Sequence, residues 1–172
     1  MGPGPIGLLM VAVLKQAYGI QKIICTGLAN DVKRLEVAEK LGAIPVNGSE
    51  CDVVEKVKEL TDGRGPAIIL DAAGHFTVVQ QAIEMIAKGG RIGITGLPAK
   101  PSTIPMTPIA MRQISIIGSR AYERKHWSQA LNLLANGLDV SLVSNFVLPL
   151  SDWKKGMELI DAGEGLRVIL EP

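Results

Sequence analysis

Gly2, Gly4 and Gly7 open the chain as a G-x-G-x-x-G, within Met1-Gly2-Pro3-Gly4-Pro5-Ile6-Gly7. An apolar run at helical spacing follows at once: Ile6, Leu9, Met10, Val13, Leu14 and Ala17. The combination suits phosphate chemistry. The first glycine permits a sharp turn, the second lets the backbone approach a pyrophosphate, and the third lets a helix pack tightly on a sheet. The N–H groups and positive dipole end of that helix then face the phosphates. Pro5 fits the first helical turn, where its missing N–H costs nothing. A glycine/proline turn before a helix is also a common structural device. The motif further calls for a strand in front of it, and only Met1 stands there.

Other residue types that could do chemistry are sparse. His75 and His126 lie at helix starts without acidic or thiol neighbours at ligand spacing, so they read as surface or capping histidines and not as metal ligands. No Ser–His–Asp or Cys–His set is suggested. Asp71, at a strand end, reads as a residue that bonds nearby backbone. Lys33-Arg34 reads equally as a phosphate clamp or as a solvated helix face. Cys25 and Cys51 form no C-x-x-C and no disulfide framework, the pattern of reduced thiols in a cytoplasmic protein.

The elements that must position the glycine turn follow from periodicity. Tyr18-Gly19 ends the first helix, and Lys22–Thr26 is a short buried strand. Asn30 or Asp31 caps a helix running to Leu41, stopped by Gly42. Further strands are expected at Ala43–Val46, Pro66–Leu70, Arg91–Thr95 and Ile114–Gly118. Helices are expected at Asp52–Leu60, Phe76–Ala87 and around Trp127–Leu134. The Pro-rich connection from Pro98 to Pro108 is irregular with room for a short edge strand, and Ile109–Arg112 is one helical turn. Ser151 caps a last helix, and Leu166–Leu170 is a final strand. Strand and helix alternate with long crossovers, which predicts an α/β fold, a doubly wound parallel sheet of the Rossmann type whose first strand is missing from the chain. No domain boundary is visible, so residues 1–172 read as one dinucleotide-binding domain.

The composition agrees. The chain is 47% hydrophobic but only 3% aromatic, so its core must be aliphatic, as in a parallel sheet covered on both faces. A net charge of +1 argues against nucleic acid and anionic membrane as main partners. The apolar run ending at Lys15 is far short of the ~20 residues of a spanning helix, and no basic residue precedes it as in a signal peptide.

The order of motifs is more specific than the glycines alone. Gly2–Gly7 is followed by Arg34-Leu35-Glu36-Val37-Ala38-Glu39-Lys40-Leu41-Gly42-Ala43, then Asp71-Ala72-Ala73-Gly74, Lys88-Gly89-Gly90-Arg91-Ile92 and Gly96-Leu97-Pro98. Ile116-Ile117-Gly118-Ser119 and the ending Gly165–Leu170 complete the set. Nearly the whole chain thus resembles the cofactor-binding domain of the medium-chain dehydrogenases, most closely the zinc-dependent sorbitol, threonine and alcohol dehydrogenases. The resemblance implies an oxidoreductase that moves a hydride between an alcohol or polyol carbon and a nicotinamide. It also implies a catalytic zinc held by an N-terminal catalytic domain absent from this chain, and a homo-oligomer paired through an edge strand near Ile104 or Ile116. By the same resemblance Gly2, Gly4, Pro5, Ile6 and Gly7 hold the pyrophosphate, and Arg34 lies beside the adenosine. Ala73, Gly74, Gly96, Leu97, Gly118 and Ser119 line the route to the nicotinamide. Arg167 matches a late basic residue that reaches the pyrophosphate, the other reading being a surface arginine before an edge strand.

Position 27 departs from the pattern. An acidic residue is expected roughly twenty residues after the glycine motif, and Gly27 stands there, in a loop longer than the common family form. With Lys33 and Arg34 nearby, this predicts a 2′-phosphate tolerated and NADP at least competitive with NAD. Asp31, folding back, is the residue able to take over the acidic role. A methyltransferase-like fold also uses a glycine-rich first turn, but lacks the later Gly96-Leu97 and Gly118-Ser119 pattern. A non-catalytic nucleotide-binding module of the same fold remains the alternative. If the first strand is absent, the strands beside its slot are left unpaired, and either the two halves of the sheet close up or another apolar segment fills the slot, with Leu166–Leu170 the best candidate.

Overall fold

Helix α1 (Pro5–Ala12) starts where the extended backbone of Gly4 hands over to Pro5, and it runs on through one π turn, Val13–Ala17. A computed structural model describes residues 1–144, 146–164 and 166–172. Apolar runs punctuated by Gly and Asp then alternate strand and helix. They are β1 (Ile24–Gly27), α2 (Val32–Lys40), β2 (Ile44–Asn47), α3 (Val53–Leu60), β3 (Ile68–Asp71), α4 (Val78–Met85) and β4 (Arg91–Ile94). After these come α5 (Met106–Arg112), β5 (Ser115–Gly118), α6 (Arg124–Ala135), β6 (Phe146–Pro149), α7 (Trp153–Asp161) and β7 (Val168–Glu171).

All the strand pairings are parallel: β1 with β2, β3 with β4, β4 with β5, and β6 with β7. The expected adjacency of Ile68–Leu70 and Ile92–Ile94 is observed, with Ile69 opposite Ile92. The core is aliphatic, as the composition requires. One cluster joins Leu8, Val11 and Ala12 of α1 to Cys25, Leu35 and Ala38. The other joins Val57, Val79, Ala82, Ile83 and Met85 to Ile69 and Ile92 of the sheet. Burial of a side chain such as Ile83 contributes about 1.5–3 kcal/mol.

β1 and β3 do not pair with each other, so the sheet is split. Between them lies a cavity of about 640 Å³, walled by Ile23–Thr26 on one side and Ala67–Leu70 on the other, with Val11, Leu14 and Met85 against it. Met1 and Gly2 close one end. The Met1 amine donates to the Leu70 carbonyl (2.7 Å), the Ala72 N–H donates to the Met1 carbonyl (2.9 Å), and the Gly2 N–H donates to the Thr26 carbonyl (2.9 Å). These are the rungs a central strand makes to both neighbours. Burial lowers the pKa of the Met1 amine, against the opposing pull of Cys25 and Asp71.

Leu166–Leu170 does not fill this slot. β7 pairs with β6, a strand the periodicity did not reveal, while Leu166 joins Val143 in the α1–β1–α2 core. The stretch leading to Val143 is tied to the π turn by a two-way link, Gln16 Nε2 donating to the Asp139 carbonyl (3.0 Å) and the Asp139 N–H donating to Gln16 Oε1 (2.8 Å). Other local expectations shift. Residues 101–105 form no edge strand, and the expected turn at Ile109 is the end of the longer α5. Ser151 sits inside a 3-10 turn, Leu150–Asp152, and does not cap α7. Gly165 lies outside the described residues.

Candidate functional site

The glycine turn sits at the C-terminal ends of β1 and β3, and its packing explains each glycine. Gly2 adopts φ +88°, and a Cβ there would stand 2.7 Å from the Ala73 backbone. A Cβ on Gly7 would run into the Gly2 carbonyl oxygen, with the Ala72 side chain beyond at 3.7 Å. Gly4 differs: nothing lies within 4 Å of its Cβ position, so this face of the turn is open. The Leu8 N–H donates to the Gly4 carbonyl (2.9 Å), starting the helix ladder. The N–H groups of Ile6 and Gly7 belong to the first turn, where no carbonyl one turn earlier can receive them. They are the groups available to an anion, at the positive end of α1. Ile6 is exposed and Pro5 half-buried at this end.

Asp71 ties the second part of the site together. It is 1% exposed, and its Oδ1 accepts from the N–H groups of Ala73 (2.8 Å) and Gly74 (3.2 Å). Its carbonyl accepts from Thr95 Oγ1 (2.7 Å), the Thr95 N–H and the Gly96 N–H. This is the structural role read from the sequence. Gly74 (φ +65°) and Gly96 are in backbone contact: a Cβ on Gly74 would stand 2.7 Å from the Leu97 nitrogen. Leu97 projects, 66% exposed. The Ser119 N–H donates to the Ile94 carbonyl (2.8 Å), which brings Gly118 and Ser119 to the same edge. A second cavity, of about 450 Å³, is lined by Asp71, His75, Ile94, Pro98, Ser102 and Ile104. Ser102 Oγ is buried in it without a hydrogen-bond partner among the described residues. No spacing signal pointed to Ser102 or to this cavity.

Gly27 ends β1 beside the turn. A Cβ there would meet Pro3 Cγ at 2.9 Å and Asp31 Cβ at 3.0 Å. Asp31 is thus folded back over the strand end. It does not cap α2 with its side chain. Its Oδ2 accepts from the Leu28 N–H (3.1 Å), and its Oδ1 pairs with Arg34 Nη1 (3.1 Å). Lys33 is exposed on α2. Arg167 is exposed beside β7, and no hydrogen bond or ion pair joins it to the glycine turn among the described residues.

Both histidines behave as local polar groups. His75 Nδ1 bonds Thr77 Oγ1 (2.8 Å), and His126 Nδ1 accepts from the Glu123 N–H (2.9 Å) at the start of α6. Among the described residues no three His, Cys, Asp or Glu side chains come together to hold a metal ion. Nor is any helix there long and apolar enough to cross a membrane.

Parallel strands, a glycine turn feeding a helix N-terminus, and a crevice at the C-terminal strand ends define a dinucleotide-binding domain of the Rossmann type. Comparison with known proteins narrows the class. Residues 5–136 match the family model described as zinc-binding dehydrogenase, and the chain belongs to that family. The sorbitol dehydrogenase of Halalkalibacterium halodurans is 35% identical over 99% of this chain, which spans 50% of the relative's length. An alcohol dehydrogenase from Thermus sp. ATN1 superposes with TM-score 0.89 at 31% identity, over 99% of this chain and 49% of its own. An E. coli CFT073 alcohol dehydrogenase, whose structure holds the cofactor NADH, superposes with TM-score 0.87 at 26% identity, over 98% of this chain and 49% of its own. The chain therefore spans about half the length of the relatives it matches.

Proposed function

We propose that residues 1–172 form the nicotinamide-dinucleotide-binding domain of a longer dehydrogenase that moves a hydride between an alcohol or polyol carbon and the nicotinamide. The observation that carries this reading is the open face at Gly4. The donors of Ile6 and Gly7 stand there, and beyond its own chain neighbours and the helix backbone nothing lies within 4 Å of the Gly4 Cβ position, while Gly2 of the same turn packs on the Ala73 backbone. Bound there, the dinucleotide supplies the hydride-accepting ring. The residues of this chain orient it. The first turn of α1 neutralises the pyrophosphate, the glycine contacts set the depth of the crevice, and Leu97 offers an apolar surface toward the ring. Arg167 and Lys33 are proposed as outer contacts to phosphate.

The described residues provide no zinc site, so zinc, its ligands and most substrate contacts belong to a separate catalytic domain in this proposal. The free edge of β5, with Ile117 54% exposed, is the proposed seam between subunits. The two free thiols, Cys25 and Cys51, suit the cytoplasm. Titration of the 172-residue chain with NADH, followed by the change in nicotinamide fluorescence, tests the reading. Saturable binding that Gly7→Ala abolishes is expected, together with no alcohol-dependent reduction of NAD or NADP by the chain alone. Absence of binding by folded chain would overturn the proposal.

A further inference from the structure

We infer that Asp31 reads the adenosine ribose and makes the site prefer the dinucleotide without a 2′-phosphate; this rests on the dinucleotide reading given above. With a pyrophosphate on the first turn of α1, the attached adenosine ribose lies over the end of the neighbouring strand, β1. That end is Gly27, which has no side chain of its own to offer. The space beside it is filled from the loop: Asp31 Cβ stands 3.0 Å from the Gly27 Cβ position, with Pro3 of the glycine turn on the other side at 2.9 Å. A carboxylate is therefore delivered to the strand end by a residue four positions later in the chain.

Its orientation is fixed. The Leu28 N–H donates to one oxygen and Arg34 to the other. Each carboxylate oxygen has a second lone-pair direction, so the group can still accept from the two ribose hydroxyls. A 2′-phosphate placed there would instead face a negative charge. The same ion pair spends the Arg34 guanidinium on Asp31, which removes the cation that Gly27 alone left free to hold a 2′-phosphate. Lys33 is exposed on α2 and makes no ion pair with Asp31 among the described residues.

The experiment is calorimetric titration of NAD and, separately, NADP into the 172-residue chain, Asp31→Asn and Arg34→Ala. Asparagine keeps an oxygen for the Leu28 N–H while it removes the charge and the bond accepted from Arg34. A hydrogen bond to a charged acceptor corresponds to a change of about ten- to a hundredfold in affinity. NAD is expected to bind the unaltered chain at least about tenfold tighter than NADP, and Asp31→Asn to shrink that ratio about tenfold. Arg34→Ala is expected to leave NAD preferred, and it carries the test should Asp31→Asn unfold. Equal affinities in the unaltered chain, an unchanged ratio in Asp31→Asn, or a selective loss of NADP in Arg34→Ala would each overturn the inference. The last result would make Arg34 a 2′-phosphate clamp. Failure of both dinucleotides to bind folded chain would instead sink the dinucleotide reading itself.

Discussion

Single atoms decide much at this site. The closest backbone approach in the turn is Gly7 against the Gly2 carbonyl, so one methyl group there has no room. Gly7→Ala is expected to destabilise the fold by about 1–3 kcal/mol through overpacking, measured by urea unfolding. Asp71 poses the opposite case, a buried acceptor whose two N–H donors have no other partner among the described residues. Asp71→Asn nearly preserves its volume but weakens a charge-assisted pair of bonds and brings an amide N–H₂ into the same pocket. A loss of about 1–3 kcal/mol is expected. Unchanged stability would mean that the Ala73–Gly74 turn holds without it. Both residues were legible in the sequence, Gly7 by motif and Asp71 by its place at a strand end. Pro3, which backs Gly27, was not singled out, since a proline in a turn gives no sign of what its ring touches.

At the scale of elements, the split between β1 and β3 governs behaviour. Met1 and Gly2 supply the only rungs across it among the described residues, Met1 to the β3 side through a buried amine and its carbonyl, and Gly2 to Thr26 of β1. Burial holds the folded-state pKa of that amine below its ordinary value of about 8. Between those two values the unfolded chain binds more protons than the folded one. Stability should therefore rise as pH climbs toward about 8, and fall as pH drops through the depressed folded value. Acetylation of the Met1 amine removes the charge and keeps one N–H for the Leu70 carbonyl. The acetylated chain is expected to be more stable near pH 6 and to lose this part of the pH dependence. Urea midpoints measured between about pH 6 and 9 check it, and identical profiles for the two forms would refute the account.

For the whole molecule, the open slot sets a limit on stability. Unpaired groups along the facing edges of β1 and β3 cost about 1–3 kcal/mol each where water cannot reach them. A domain has only about 5–15 kcal/mol in total. The chain is expected to unfold with a free energy at or below the low end of that range, and a value in its upper half would contradict the account. The thiols give an independent probe. Cys51 is exposed, while Cys25 is 4% exposed and lines the slot, its pKa raised by burial. A thiol reagent should modify Cys51 rapidly and Cys25 only as the β1–β3 slot opens. Fast modification of both would show that the slot is already open to solvent.

The sequence by itself determined the class of fold, the glycine turn, and the order and type of most elements. Those features are local: apolar period, glycine at turns and proline at a helix start each act within a few residues. The tertiary structure alone decided how the segments around the slot between β1 and β3 are arranged. Val168–Glu171 found a partner in Phe146–Pro149, because pairing two parallel strands depends on where intervening helices pack and not on either strand's composition. It likewise decided the fate of Gly27. An empty position in the sequence is an occupied one in space, because the loop after β1 turns through a 3-10 segment and lays Asp31 where a side chain of residue 27 would have been.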